Sequence, residues 1–199
     1  MVAAGLVVGS GGNLSARVPG TDEFWVTAAG TWLDHLDRTS FTRVRVGDGS
    51  VVDDGVSPTT ELALHVATYR VRPDVRAIVH LHPQTAILLD ALGERIRLVS
   101  TDHVYYLREV VRTPFAAPGT PELAAIAARA AAGGADCVLL AHHGCSVLGT
   151  SVELAHKRAC YLEEAARLTY AALAAGRLGT LAECPPQFRA RLAAGTGSV

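Results

Sequence analysis

The sequence lacks an excess of charge of either sign. Its 18 lysine and arginine residues nearly balance 19 aspartate and glutamate residues, which gives a formal net charge of -1 at pH 7. Because long blocks of one sign are also missing, the chain has no field that would attract nucleic acid or an anionic membrane surface. We therefore expect a small-molecule ligand, and neither nucleic acid nor a membrane as a partner.

The sequence has few cysteines and no CxxC pair. The four that occur are Cys137, Cys145, Cys160 and Cys184. They are too few for a disulfide scaffold, and their scattered spacing suits a reducing compartment. We expect buried free thiols in a cytoplasmic protein.

Long hydrophobic runs are missing as well. The apolar opening "MVAAGLVV" is eight residues long, has no basic segment before it and no small-residue cleavage pattern after it, so it predicts neither a signal peptide nor a membrane span. With 49% hydrophobic and 19% charged residues, the composition is that of a globular protein. We expect one domain over residues 1–199, in which residues 177–199 form a loosely held C-terminal tail.

Short apolar runs alternate with helical patterns along the chain. The runs at 23–30, 41–52, 76–82, 96–100 and 136–144 predict strands. Helices are predicted from residue 57 to Pro73, from the N-cap Thr120 to Gly133, and from a capping box of Thr150 and Glu153 to Gly176. Strands interleaved with helices indicate a layered α/β domain, although periodicity leaves the strand order open.

Two histidines interrupt the apolar run "VRAIVHLHPQTAILL". Side chains at positions i and i+2 leave the same face of a strand, so His80 and His82 would lie about 7 Å apart along one face, near enough to share a metal ion. The pair could equally be buried or surface histidines with hydrogen-bond partners. A metal site therefore needs further ligands.

A second histidine pair ends the apolar run "DCVLLAHHG". Adjacent strand residues point to opposite faces, so only one of His142 and His143 can join the site. Two histidines from one strand and one from another would leave a coordination position open, as in a catalytic zinc site. The alternative is that both histidines cap a strand end in solvent.

A carboxylate and a glycine-rich turn add to these histidines. Glu61 follows two threonines in "SPTTE" at a helix start, where free N–H groups and hydroxyls could bind phosphate, although the carboxylate could also be only a partner of the helix dipole. The segment "GSGGNLS" contains Asn13 in a turn whose backbone could approach an oxyanion. Taken alone, that segment could be an ordinary loop.

The motifs GGNLS, TAAG, SPTTE, HLH and HHG occur in an order and at spacings that resemble the class II aldolase/adducin family, over roughly Gly5 to Gly176. The resemblance implies a three-layer α/β/α domain with a central, largely antiparallel sheet. It also implies a homotetramer with the active site near a subunit boundary. Family proteins usually begin with a helix before the GGN turn, so we expect either that this helix is absent or that the start codon lies further upstream.

The resemblance also implies residue roles. His80, His82 and His143 would bind Zn2+ or another divalent metal while His142 faces away, and Glu61 would be the acid/base carboxylate. Tyr105 or Tyr106, in "TDHVYYLREVV", would reach a site as proton donor, or else pack as ordinary aromatics. The phosphate-binding positions would be Gly12, Asn13, Ala29, Gly30, Thr59 and Thr60. Ala29 lacks the hydroxyl that family enzymes commonly carry there, so one phosphate hydrogen bond of the pattern is missing.

The resemblance implies zinc-dependent aldolase chemistry on a small ketose phosphate or related hydroxy ketone, through a metal-stabilised enediolate. Glutamate at position 61, where the epimerases of the family carry aspartate, favours aldolase, dehydratase or decarboxylase chemistry over epimerisation. A sugar-acid decarboxylase of the 3-oxo-tetronate 4-phosphate type is the first alternative. A non-catalytic adducin-like binding module and an iron-dependent oxygenase are the others.

Overall fold

The computed structural model describes residues 1–53 and 55–194, and these residues form strands and helices that alternate along most of the chain. The seven strands in this described part are β1 (Asn13–Arg17), β2 (Glu23–Thr27), β3 (Phe41–Arg45), β4 (Ala77–Leu81), β5 (Val111–Thr113), β6 (Cys137–Leu140) and β7 (Gly144–Gly149). The α-helices there are α1 (Leu62–Val71), α2 (Gln84–Ala91), α3 (Thr101–Leu107), α4 (Pro121–Ala132), α5 (Val152–Ala174) and α6 (Pro186–Ala193). Short 3-10 turns occupy Val2–Ala4, Arg38–Ser40 and Leu178–Thr180.

All of these strands belong to one mixed sheet. Their order is β3-β2-β1-β4-β7-β6-β5, and β5 with β6 forms the parallel pair, while the other neighbours are antiparallel. The expected α/β fold with a largely antiparallel sheet is confirmed. The strand order, which periodicity left open, puts β4 beside β1 and β7 near the middle of the sheet.

Helices cover both faces of the sheet. On one face Val79 and Leu81 of β4 join a buried cluster with residues of α2, α3 and α5. On the other face Ile78 packs in a second cluster with residues of α1 and α4. Because β4 is buried on both sides, an apolar residue at nearly every position is favourable. His80 shares the face of Ile78 and is fully buried.

Several predicted elements are wrong in extent or type. Residues 96–100 are not a strand but an irregular segment that ends at Ser100, the N-cap of α3. The helix α5 is capped by Ser151, whose Oγ accepts from the Leu154 N–H, rather than by the predicted box at Thr150 and Glu153. The sequence patterns do not predict β1, β5, β7, α2, α3 and α6, which are short or begin directly at a turn motif.

The described part of the segment after Gly176 packs against the rest of the domain. Cys184 is buried and its N–H donates to the Leu98 carbonyl at 2.8 Å. In α6, Phe188 and Leu192 contact the apolar cluster on the α5 face. Residues 195–199 of the predicted tail lie outside the described residues. The four cysteines are free, and all but Cys160 are buried.

None of the helices in the described part of the chain combines the length and the apolar character needed to cross a bilayer.

Glu163, a buried carboxylate on α5, caps the first turn of α2. This helix follows β4, the strand of His80. Glu163 is 2% exposed and accepts hydrogen bonds from Thr85 N (3.2 Å), Thr85 Oγ1 (2.6 Å) and Ala86 N (3.1 Å). The N-cap of α2 is Pro83, which has no side-chain cap, so Glu163 satisfies N–H groups that would otherwise lack partners. This contact fixes the chain immediately after His82.

The substitution Glu163→Gln should lower the free energy of unfolding by about 2–3 kcal/mol, because the amide would place N–H groups against buried donors. Glu153→Gln, on the same helix but in an exposed pair with Lys157, should leave the free energy of unfolding nearly unchanged, because exposed ion pairs contribute little. Urea unfolding of both variants measures the difference. Equal losses in the two variants would contradict the capping role.

Candidate active site

Strand pairing brings the separated motifs together at one end of the sheet. Asn13, the first residue of β1, is the register partner of His80 on β4. On its other side His80 pairs with Ser146 of β7, the strand that begins just after His143. The glycine-rich turn and both histidine motifs therefore meet because their strands are neighbours. The glycine-rich turn predicted at GGNLS runs directly into β1.

Two glycines permit this close approach. A Cβ on Gly12 would lie 2.7 Å from the His80 carbonyl oxygen, and Gly12 has a φ of 113°. A Cβ on Gly144 would collide with the Leu81 carbonyl oxygen and with the His82 ring. Any side chain at either position would push the strands apart.

Four side chains converge where these strands meet. His80, His82, His143 and Glu61 each place one potential ligand atom within 4.8 Å of all the others. The Nε2 atoms of His80 and His82 are 3.1 Å apart. Glu61 lies 2.6 Å from His80 Nε2 through Oε2 and 3.6 Å from His143 Nε2 through Oε1.

The arrangement fits a divalent metal. Two nitrogens that are each 2.0–2.1 Å from one tetrahedral zinc ion lie about 3.4 Å apart, close to the 3.1 Å between the two histidine nitrogens. Glu61 Oε1 is buried and has no hydrogen-bond partner among the described residues, a costly state that an ion would relieve. Three imidazoles and one carboxylate form a donor set that zinc accepts.

Burial and neighbouring charges set the ionisation of this cluster. Burial opposes ionisation of Glu61, but the hydrogen bond and charge of His80 outweigh it and lower the pKa to about 2. Burial lowers the pKa of His82 to about 4 and also lowers that of His143. At neutral pH Glu61 is therefore a carboxylate and these two rings are neutral, which is the form that binds metal.

A buried aspartate positions the turn that carries His143. The Asp90 side chain on α2 accepts from the His142 N–H at 2.7 Å through Oδ2 and pairs with Arg112 through Oδ1. His142 has a φ of 55° and is exposed, so its ring points away while His143 enters the cluster. No motif near Asp90 in the sequence predicts this role.

A cavity of about 360 Å³ lies over the cluster. Its lining includes Gly12, Asn13, Ala29, Gly30, Thr59, Thr60, Glu61, His82 and His143, and thus every position expected to bind phosphate. Thr59 Oγ1 accepts from the Glu61 N–H at 3.3 Å, which leaves its own O–H hydrogen free to donate. The cavity also adjoins the N-terminus of α1, which favours an anion.

Tyr105 and Tyr106 do not reach this cavity within the described chain. They lie on α3, which packs on α5 on the opposite face of the sheet from α1. Both line a different cavity, of about 740 Å³, together with Arg108, Arg158 and Arg189. The two tyrosines therefore contact none of the four clustered side chains in this chain, and their expected role as proton donors stays a prediction.

A buried polar row that no sequence motif predicted extends from Glu61 into the core. Asn13 joins Glu61 to His65, and Ser15 joins His65 to Tyr69. The signal was present in the sequence, because His65 follows Glu61 by four residues and therefore shares its side of the helix start.

Comparisons with known proteins give consistent results. The family model described as "Class II Aldolase and Adducin N-terminal domain" matches residues 1–170. The L-fuculose phosphate aldolase of Methanocaldococcus jannaschii is 31% identical over 163 residues, which cover 82% of this chain and 86% of that protein. The 3-oxo-tetronate 4-phosphate decarboxylase of Escherichia coli is 33% identical over 171 residues, covering 83% of this chain and 79% of its own length.

Solved structures share the fold. A structure of L-fuculose 1-phosphate aldolase superposes with a TM-score of 0.81 and 26% identity, covering 98% of this chain and 89% of that one. Strand order and helical layers of this kind are thus present in a known enzyme. The same fold can support several reactions, so the choice among activities depends on the residues of the site.

Acid pH should destabilise the metal-free protein through His65. Burial lowers its pKa to about 3 in the folded state, against about 6.5 in an unfolded chain. Between these values the unfolded state binds the extra proton, so the free energy of unfolding falls as the pH falls. We expect His65→Gln to reduce that slope by about 1.4 kcal/mol per pH unit below about pH 5.5.

Urea unfolding of chelator-treated protein at a series of pH values measures the slope. His35→Gln is the control, because the His35 side chain is 81% exposed and keeps its contact with water on folding. The prediction fails if His65→Gln lowers stability equally at every pH.

Proposed function

Because this chain belongs to the class II aldolase and adducin family, we propose that it is a metal-dependent aldolase acting on a small ketose phosphate or related hydroxy ketone. The observation that carries the proposal is the convergence of Glu61 with His80, His82 and His143 beside a cavity at a helix N-terminus. A binding module would not need three imidazoles and a carboxylate so close together.

His80, His82 and His143 would hold the metal, and the cluster distances support this role. We propose zinc, since three nitrogens and one oxygen match its usual ligands. When bound, the metal supplies Lewis-acid stabilisation of negative charge on the substrate oxygens. Iron would accept the same ligands, and iron in the purified protein would instead favour oxygen chemistry.

Glu61 would move the proton. In the bond-forming direction its carboxylate removes a proton from the carbon beside the substrate carbonyl, and in the cleavage direction it returns that proton to the same carbon. Its Oε1 has no hydrogen-bond partner among the described residues, so this oxygen is available to the substrate.

The lining of the cavity would bind the phosphate. Gly12, Asn13, Gly30 and Thr59 all line the same cavity, and the α1 dipole adds positive potential there. Ala29 offers no side-chain donor, so phosphate would have one hydrogen bond fewer than a hydroxyl residue would provide. We also propose that the protein is a homotetramer in the cytoplasm. The family resemblance supports the tetramer, and the free cysteines suit the reducing cytoplasm.

A decarboxylase is the second candidate. Its support is the 33% identity with 3-oxo-tetronate 4-phosphate decarboxylase, which is comparable to the 31% identity with L-fuculose phosphate aldolase. Loss of carbon dioxide from a 3-keto acid leaves an electron pair on the same carbon as loss of an aldehyde, so Glu61 could serve both reactions.

Purified protein should contain about one zinc ion per chain, and His143→Ala should bind zinc at least tenfold more weakly, since even outer-shell changes cost about 10–100-fold. Elemental analysis after titration with a competing chelator measures both. His142→Ala is the matched control, because that neighbouring ring is exposed and outside the cluster. Equal affinity in both variants would refute the assigned ligands.

Glu61→Gln should lower kcat by about two to four orders of magnitude on whichever substrate the parent turns over, because a carboxamide cannot carry the proton. A panel of ketose phosphates, followed by aldehyde release, and of phosphorylated 3-keto acids, followed by carbon dioxide release, separates the two candidate reactions. Glu153→Gln, on the exposed side of α5, should have the same kcat as the parent. Undiminished turnover in Glu61→Gln would contradict the mechanism.

A further inference from the structure

The polar row behind Glu61 is continuous and buried. Asn13 Nδ2 lies 3.4 Å from Glu61 Oε2, and Asn13 Oδ1 lies 2.6 Å from His65 Nε2. Ser15 Oγ lies 2.7 Å from His65 Nδ1 and 2.9 Å from the Tyr69 hydroxyl. All five residues are at most 6% exposed, so water does not compete for these contacts.

Two regular elements build this row. Asn13 and Ser15 are two residues apart on β1 and share one face of the sheet. His65 and Tyr69 are four residues apart on α1 and share one side of that helix. Side chains from the strand and from the helix therefore alternate along the row, in the order Asn13, His65, Ser15, Tyr69.

The contact of the Asn13 amide nitrogen with Glu61 Oε2 fixes the direction of every hydrogen bond in the row. A carboxylate only accepts, so the Asn13 NH2 group must face it and Asn13 Oδ1 must accept from His65 Nε2–H. Burial lowers the pKa of His65 to about 3, so the ring is neutral and Nδ1 is an acceptor. Ser15 then donates to Nδ1 and accepts from Tyr69.

The opposite arrangement is unfavourable. A His65 ring protonated at Nδ1 would make Nε2 an acceptor and would turn the Asn13 amide around. The Asn13 carbonyl oxygen would then face the Glu61 carboxylate with no hydrogen between them. The histidine tautomer and the amide orientation are thus coupled.

We propose that His65 is a positioning residue, which holds the Asn13 amide with its NH2 group toward Glu61 and the cavity and thereby fixes the carboxylate for proton transfer. This inference rests on the proposed function, in that Glu61 is the residue it serves. His65 is buried and lies outside the cavity, and its role would be to affect the reaction rate rather than to bind metal.

A pair of amide variants separates this role from a structural one. In His65→Gln the amide nitrogen takes the approximate place of Nε2 and can still donate to Asn13 Oδ1. In His65→Asn the shorter amide takes the approximate place of Nδ1 and can reach Ser15 but not Asn13. Each variant keeps one partner and loses the other, so losses of stability should be similar.

His65→Asn should lower kcat about 10–100-fold, the usual range for outer-shell partners, and His65→Gln should stay within about threefold of the parent. KM and zinc content should change little in both. Thr68→Val is the control on the same helix, since the buried Thr68 hydroxyl has no hydrogen-bond partner in the described chain. Equal kcat losses in the two His65 variants, or a loss confined to KM, would overturn the proposal.

The tautomer itself gives a test that needs no substrate. A proton–nitrogen correlation spectrum of the imidazoles, with His65 assigned by its disappearance in His65→Gln, should show the proton on Nε2 and a bare Nδ1. A proton on Nδ1 would overturn the inference even in an active enzyme. If no substrate in the panel reacts, the proposed function fails, while this spectrum still decides the state of the buried row.

Discussion

The antiparallel pairing of β4 with β1 and β7 is the constraint on which the rest of the structure depends. Backbone hydrogen bonds place Asn13 opposite His80, and His80 opposite Ser146. A shift of one residue in either register would turn His80 toward the α5 face and separate it from Glu61. Gly12 and Gly144 maintain the close approach of the strands, since a side chain at either site would collide with β4.

The charged groups at this end of the sheet are stable only when they occur together. A buried carboxylate is costly unless hydrogen-bond donors or cations surround it. Glu61 has His80 and Asn13 on Oε2, whereas Oε1 is left without a hydrogen bond in the described chain. The cluster thus combines a satisfied oxygen, which holds the side chain in place, with an unsatisfied one, which can bind an ion or accept a proton.

Positioning of the site extends well beyond the side chains that line the cavity. Asp90 holds the backbone at His142, and Glu163 holds the start of α2 after His82. Both carboxylates are buried and act on backbone N–H groups, so they fix the main chain from which the cluster residues project. A site supported from helices and strands in this way is more exact than one carried by loops.

The sequence by itself determined the α/β class, the family resemblance and the residues that form the cluster, because glycine, histidine and carboxylate motifs are local patterns. His65 was also within reach, four residues after Glu61. The tertiary structure decided that Asn13 begins a strand, that Asp90 holds the His142 turn, and that Tyr105 and Tyr106 line another cavity. These facts depend on which strands are neighbours and which face each helix covers, and backbone pairing between distant segments leaves no local pattern in the sequence.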